Sequence, residues 1–202
     1  MTLPLRMILV VGALGLGLGL ALFERSLRPP APLAVLGQIP PFHLIDERGL
    51  PFGVDSMAGH VTVVDFIFTR CASSCPRLTA RMGELQSLLV RKKSPARLVS
   101  FSVDPENDTP MVLSEYAVAA HADLSRWSFV TGPVQEIERA VVNGFKVAVD
   151  KITRDAGDYD VVHGEWFVLV DPSARLRGYY SVKETDDLDA LVKDVQALEQ
   201  RR

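Results

Sequence analysis

The chain has 202 residues, 48% of them hydrophobic, and its formal net charge at pH 7 is -3. The small charge and the lack of a long basic run or an aromatic-basic patch argue against a nucleic-acid partner. Only two cysteines are present, so a disulfide framework is excluded and stability must come from a hydrophobic core.

The chain opens with an apolar segment. Residues 7–23 contain no charged side chain, and Arg6 precedes them while Glu24 and Arg25 follow. At about 1.5 Å per residue, a helix here would almost cross a bilayer core. The apolar run is longer than that of a usual signal peptide, and LALFERS is a poor cleavage site. We therefore assign residues 1–25 to a membrane anchor in preference to a cleaved signal segment.

A proline-rich stretch, SLRPPAPLAVLGQIPPF, follows the apolar segment. Because proline removes a backbone donor and fixes φ, such a stretch builds neither a helix interior nor a central strand. We assign residues 26–38 to a linker and residues 39–202 to one folded domain, a length that suits a single hydrophobic core.

Within the domain, strand-like and helix-like patterns alternate. Residues 42–54 predict two short strands around a turn, and the Val, Ile and Phe-rich residues 60–68 predict a buried strand. Apolar side chains between residues 78 and 89 recur at helical spacing. The remaining predicted elements are strands over 96–103, 127–130, 164–170 and 175–180, and helices over 108–121, over 134–145 and from 185 or 187 onward.

This order of elements predicts an α/β fold. Early strand–helix–strand units followed by an antiparallel hairpin describe a mixed sheet covered by helices. The two cysteines lie where the first core strand meets the first core helix, which is typical of a thioredoxin-like arrangement. We therefore predict a thioredoxin-like mixed sheet flanked by helices, preceded by an N-terminal transmembrane helix.

The stretch FIFTRCASSCPRL holds both cysteines, Cys71 and Cys75. Residues four apart at the start of a helix lie on one face, so both sulfurs should point to one place. The positive end of the helix dipole is expected to lower a thiol pKa here. Two neighbouring thiolates either form a disulfide with each other or bind a soft cation such as copper(I) or zinc.

A histidine would complete a three-coordinate copper site with two thiolates. We interpret His43, His60 and His121 as surface or helix-end residues, because they lie at two strand starts and at one helix end. His163 stands just before the strand that, in a thioredoxin-like fold, begins beside the cysteine loop. Thiol–disulfide oxidoreductases of this fold have a cis-proline at that place, and this chain has no proline between residues 152 and 170. We expect His163 to face the sulfurs; the alternative is a hydrogen-bonded loop histidine.

Three segments of the domain resemble the Sco/SenC family of copper chaperones, which have a thioredoxin-like fold. FIFTRCASSCP resembles the family's F-x-F-T-x-C-x-x-x-C-P, and SVDPENDTP resembles its S-V-D-P-x-x-D-T-P. The third segment, DYDVVHGEWFVLVDPSARLRGYY, resembles the family's histidine segment. The similarity covers nearly the whole domain, so the fold and the function of the family become expectations for this chain.

The resemblance implies that Cys71, Cys75 and His163 are ligands of Cu(I) or Cu(II). It implies a membrane-anchored chaperone that assists assembly of the dinuclear copper centre of cytochrome c oxidase. The implied partners are the copper-bearing subunit of the oxidase and an upstream copper donor or thiol reductant. The domain would face the periplasm, or the mitochondrial intermembrane space in a eukaryote.

Two other functions compete with the copper chaperone. One is a thiol–disulfide oxidoreductase that reduces cysteines of a partner protein, so the sequence leaves open whether the protein is an enzyme. The other is a structural disulfide in a partner-binding domain. That function is weakly supported, because closing so short a loop constrains the unfolded chain by only about 2 kcal/mol.

The chain departs from the family pattern near the predicted ligands. The family commonly has Asp directly before the histidine, where this chain has Val162, and Asp160 reaches the site only if the loop folds. The cysteine loop reads Ala-Ser-Ser where many relatives begin with Pro-Asp. Asp104, in the SVDP segment, is an acidic candidate near the cysteines; its alternative role is to form a turn ahead of Pro105.

Overall fold

The computed structural model describes residues 32–71, 75–153, 159–163, 165–183 and 185–200, with only the backbone for residues 149–153, 159–163 and 185–186. The predicted membrane anchor over residues 1–25 and the first part of the predicted linker lie outside these ranges. Within these ranges, no helix is long and apolar enough to cross a membrane.

Strands and helices alternate along the described chain. The strands are β1 (Gly37–Gln38), β2 (His43–Asp46), β3 (Pro51–Gly53), β4 (Thr62–Ile67), β5 (Arg97–Ser102), β6 (Trp127–Thr131), β7 (Val149–Thr153), β8 (Tyr159–His163), β9 (Trp166–Val170) and β10 (Arg175–Ser181). The helices are α1 (Val54–Met57), α2 (Cys75–Arg91), α3 (Pro110–Ala119), α4 (Val134–Glu138) and α5 (Thr185–Glu199), with a π-helix at Arg139–Gly144.

Eight of the strands form one mixed sheet in the order β1-β10-β9-β4-β5-β6-β2-β3. Strands β4, β5 and β6 are parallel, since helical crossovers connect them. Strand β9 pairs antiparallel with β4 and with β10, and β2 pairs antiparallel with β6. Helices cover the sheet, so the α/β prediction is confirmed and the architecture fits a thioredoxin-like arrangement.

The core centres on β4, all of whose residues are buried. The predicted apolar face of α2 is confirmed, because Leu78, Met82, Leu85 and Leu89 are all buried against this core. Burying each of these side chains contributes about 1.5–3 kcal/mol. This packing fixes both ends of the cysteine loop, because the loop connects the end of β4 to the start of α2.

The structure differs from the sequence-based elements in several places, and the short helix α1 is one that was not predicted. The helix predicted over residues 134–145 is α-helical only to Glu138 and continues as the π-helix. Strand β1 was not predicted, because prolines surround it in the sequence. Strands β7 and β8 form a separate two-stranded sheet over residues that were interpreted as a loop.

Candidate metal centre

The two cysteines lie at the carboxyl end of β4. After Ile67 the chain turns, and the backbone N–H of Cys71 donates to the carbonyl of Phe68 at 3.2 Å. Cys75 is the first residue of α2. The structure therefore confirms that the two cysteines lie between a core strand and a core helix. Ligands commonly bind at this edge of an α/β sheet.

The structure brings the two cysteines together. The backbone N–H of Cys75 donates a hydrogen bond to Sγ of Cys71 at 3.4 Å, and both residues carry thiols. The first N–H groups of a helix have no intrahelical acceptor, so the sulfur of Cys71 satisfies one of them. The hydrogen bond keeps Cys71 against the start of the helix that carries Cys75.

Burial makes the two sulfurs different. Cys75 is fully buried, whereas Cys71 is 8% exposed. Burial raises the pKa of the Cys75 thiol well above its usual range, and the neighbouring Cys71 and Asp65 raise it further. The prediction that a thiol pKa is lowered at this helix N-terminus is wrong for Cys75, since burial raises the pKa of its thiol.

Cys71 opens onto a groove of about 410 Å³ beside helices α2 and α3. Other residues that line the groove include Thr69, Pro76, Thr79, Ala80, Tyr116 and His121. Burial raises the pKa of Tyr116 to about 12, and its hydroxyl lies 2.7 Å from that of Thr79. A molecule entering the groove therefore meets Cys71.

His163 ends β8, where its backbone pairs with Val149 of β7. Its side chain lies outside the described part of the molecule, so the expected approach of the imidazole to the sulfurs stays a prediction. Asp160 and Val162 lie on the same strand, again with only their backbone described. Among the side chains that are described, no group of three or more His, Cys, Asp or Glu residues is arranged to hold a metal ion.

The other histidines occupy different surroundings. The side chain of His43 is 85% exposed and its Nδ1 lies 3.7 Å from Glu136. His121 is exposed just beyond α3 and lines the groove that Cys71 enters. His60 precedes β4, at the opposite end of the strand from the cysteines.

Two buried carboxylates hold the residues directly before Cys71. Asp108 accepts hydrogen bonds from the backbone N–H of Thr69 at 3.1 Å and from its hydroxyl at 2.6 Å. Asp104 is fully buried and accepts from the guanidinium of Arg70 at 3.2 Å. The sequence prediction that Asp104 lies near the cysteine loop is therefore confirmed. The role of Asp108 was missed, although its signal is the spacing of S-V-D-P-x-x-D-T-P.

A third carboxyl was also missed by the sequence analysis. Asp65 lies in the middle of β4, is fully buried, and pairs in register with Ser100 of β5. Burial raises its pKa to about 7. Its charge also raises the pKa of Cys75. The signal was an acidic residue inside the apolar run VTVVDFIF. That pattern indicates that Asp65 is buried, but it does not indicate which residues lie near its side chain.

Residues 35–199 match the family model described as SCO1/SenC. The chain belongs to the SCO1/SenC family. This SCO1/SenC protein is 35% identical over 161 residues to the SCO1 protein homolog of Bacillus subtilis (strain 168), an alignment that covers 79% of this chain and 82% of the relative. The resemblance predicted from the three sequence segments is confirmed.

Solved structures of SCO1/SenC proteins have the same fold. BsSco, a member of the Sco family of cytochrome c oxidase assembly proteins in which a disulfide switch was identified, superposes with a TM-score of 0.72 at 32% identity, over 83% of this chain and 98% of BsSco. Bradyrhizobium japonicum ScoI with copper bound superposes with a TM-score of 0.69 at 25% identity, over 82% of this chain and 99% of ScoI.

Proposed function

We propose that this protein carries copper and delivers it during assembly of the dinuclear copper centre of cytochrome c oxidase. The observation that carries the proposal is the pairing of Cys71 and Cys75 at the carboxyl end of β4, where Cys71 Sγ lies 3.4 Å from the N–H of Cys75. Membership of a family with a copper-bound structure supports the choice of metal.

The donor atoms fit a soft cation. Thiolate sulfur prefers Cu(I) over hard divalent ions, and binding displaces the thiol protons. A buried thiolate at Cys75 is costly by itself, as its raised pKa indicates, and a cation at the sulfur offsets that cost. Copper is the cargo of this site, and Cys71 and Cys75 are the residues that would hold it.

His163 is the proposed third ligand. Its backbone position at the end of β8 is two residues from Glu165, which forms an ion pair with Arg77 of α2 at 2.9 Å. That ion pair ties the chain after β8 to the helix that begins with Cys75. The tie supports a place for His163 near the cysteines.

Delivery would begin at Cys71. Cys71 lines the groove and keeps some exposure, whereas Cys75 is fully buried. A thiolate of the acceptor protein therefore meets Cys71 first and replaces it at the metal, while Cys75 retains the ion until a second acceptor ligand arrives. The partners proposed are the copper-bearing oxidase subunit as acceptor, and an upstream copper donor or thiol reductant.

Competitive Cu(I) titration of the reduced full-length protein in detergent tests this proposal. We expect Cys71→Ser and Cys75→Ser to weaken binding by about 100-fold or more, because a hydroxyl is a poor ligand for Cu(I). His163→Ala should weaken binding by about tenfold or more. His43→Ala, which removes an exposed histidine, is the matched control. Parent-like affinity of His163→Ala would remove this residue from the ligand set.

A thiol–disulfide reductase is the second candidate function, and the paired thiols together with the disulfide switch identified in BsSco favour it. Cys71 as thiolate would attack a partner disulfide, releasing one partner thiolate and forming a mixed disulfide. Cys75 would then displace the second partner thiolate. The partner gains two electrons and two protons, and the Cys71–Cys75 disulfide remains. Rapid metal-free reduction of insulin disulfides, with dithiothreitol as reductant, would favour this function over copper delivery.

We also propose that residues 1–25 anchor the protein in a membrane, with residues 26–38 as linker and residues 39–202 as a domain facing the periplasm or intermembrane space. The last two linker residues, Gly37 and Gln38, form β1 at the edge of the domain's sheet. The uncharged run over residues 7–23 supports the anchor. N-terminal sequencing of the membrane-extracted protein distinguishes the anchor from a cleaved signal, since cleavage would place the mature start beyond the apolar run.

A further inference from the structure

Asp108 lies outside the cysteine loop, yet its carboxylate accepts hydrogen bonds from Thr69, which leads into that loop. The residue is fully buried. One oxygen, Oδ1, accepts from the Thr69 hydroxyl at 2.6 Å, and the other, Oδ2, accepts from the Thr69 N–H at 3.1 Å and from the Ser102 hydroxyl at 2.6 Å. One side chain therefore fixes both the backbone and the side chain of Thr69 to the end of β5.

Thr69 controls the turn that presents Cys71. It lies two residues before Cys71, between Phe68, whose carbonyl accepts the Cys71 N–H, and Arg70. Arg70 is itself paired with Asp104, whose backbone N–H donates to the Ser102 hydroxyl at 3.1 Å. Two consecutive residues on the approach to Cys71 are thus held by one segment, residues 102–108.

A buried carboxylate is a costly way to hold a turn. Burial raises the pKa of Asp108, and hydrogen bonds from Ser102 and Thr69 oppose that rise. The three donors leave little freedom at Thr69, because charge-assisted hydrogen bonds are shorter and stronger than neutral ones. The arrangement is therefore rigid at the point where the chain turns toward the sulfur.

We propose that Asp108 is a positioning residue for Cys71. By holding Thr69, it keeps Cys71 Sγ against the N–H of Cys75 and limits the exposure of that sulfur. The inference rests on the proposed function of the cysteine pair, but it concerns thiol geometry and needs no metal. Loss of the carboxylate should free the turn, so that Cys71 becomes more accessible and the two sulfurs meet less often.

The test uses the full-length protein in detergent, without metal, with two measurements. One is the equilibrium constant for forming the Cys71–Cys75 disulfide against a glutathione buffer, and the other is the rate at which iodoacetamide alkylates Cys71. For Asp108→Asn, whose amide cannot accept from all three donors, we expect the disulfide constant to fall about tenfold and alkylation to become faster. Thr69→Val should shift both quantities in the same direction, whereas Thr69→Ser should behave as the parent.

Asp171→Asn is the matched control. Asp171 is also buried and accepts from the N–H groups of Ser173 and Arg175, but it lies in the turn between β9 and β10. Both Asn variants should melt at lower temperature, and only Asp108→Asn should change the thiol measurements. Parent-like thiol values in both Asp108→Asn and Thr69→Val, or equal shifts in Asp171→Asn, would overturn the inference. A parent protein that binds no Cu(I) would contradict the proposed function. It would not affect the role of Asp108 in positioning Cys71, because the thiol measurements are made without metal.

Discussion

At the residue scale, buried polar groups surround a pair of thiols. Asp65, Asp104 and Asp108 are all buried near the cysteine loop or in the strand that leads to it. A buried carboxylate lowers stability unless it is paired or hydrogen-bonded, since its charge loses solvation. The sequence predicted the cysteine pair and pointed to Asp104, because motif spacing carries that information. The same motif contains Asp108, but the motif does not show that this carboxylate binds Thr69. Asp65 could not be predicted as a neighbour of the site, because strand pairing brings it there.

Asp65 gives a pH-dependent prediction. Its pKa of about 7 in the folded protein exceeds the usual value of 3.8, so the folded state holds a proton that the unfolded chain has lost. The contribution of Asp65 to stability should therefore be largest below about pH 4 and be lost as pH rises to about 7. We expect Asp65→Asn to flatten this dependence and to raise the free energy of unfolding at pH 8 by about 1–4 kcal/mol.

Urea unfolding of the parent and of Asp65→Asn between pH 4 and pH 8 measures this effect. Asp55→Asn, at an exposed position on α1, is the control and should follow the parent. An Asp65→Asn variant that is less stable than the parent at pH 8, with the same pH slope, would show that Asp65 is not a destabilising buried charge.

At the element scale, hydrophobic pattern decided which parts of the fold were predictable. Helix α2 and strand β4 have strong patterns, with Leu78, Met82, Leu85 and Leu89 on one helix face, and both elements were predicted. Strands β7 and β8 were missed, since their polar residues and intervening glycine suggest a loop. The π-helix was missed because its residues, like those of an α-helix, bury one face toward the core.

Helix α2 gives a stability prediction, because it carries Cys75 and packs its apolar face on the core. Leu85 is fully buried on this helix, whereas Val90 is exposed. We expect Leu85→Ala to lower the free energy of unfolding by about 2–5 kcal/mol, through lost burial and a residual cavity. Val90→Ala should change it by less than about 0.5 kcal/mol. Thermal unfolding of both variants checks this, and equal losses would mean that α2 does not pack as described.

At the scale of the whole molecule, strand order explains why the thiols lie at this edge. Strand β4 lies between β5, which is parallel to it, and β9, which is antiparallel. Because β4 and β5 are parallel, the chain leaves both strands at the same edge of the sheet. The turn before Cys71 and residues 102–108 contact each other at that edge. Alternating patterns predicted the elements and the fold class, but the sequence pattern did not give the neighbours of β4. The place of the His163 side chain also could not follow from pattern, because it depends on the path of the chain after β7.

Copper delivery as proposed requires that Cys71 and Cys75 hold the ion together. X-ray absorption at the copper edge, on full-length protein loaded with one equivalent of Cu(I), tests it most directly. We expect sulfur coordination from both cysteines with a nitrogen ligand in addition, loss of one sulfur in Cys75→Ser, and loss of the nitrogen in His163→Ala. Copper bound without sulfur, or a spectrum unchanged when both cysteines are replaced by serine, would contradict it.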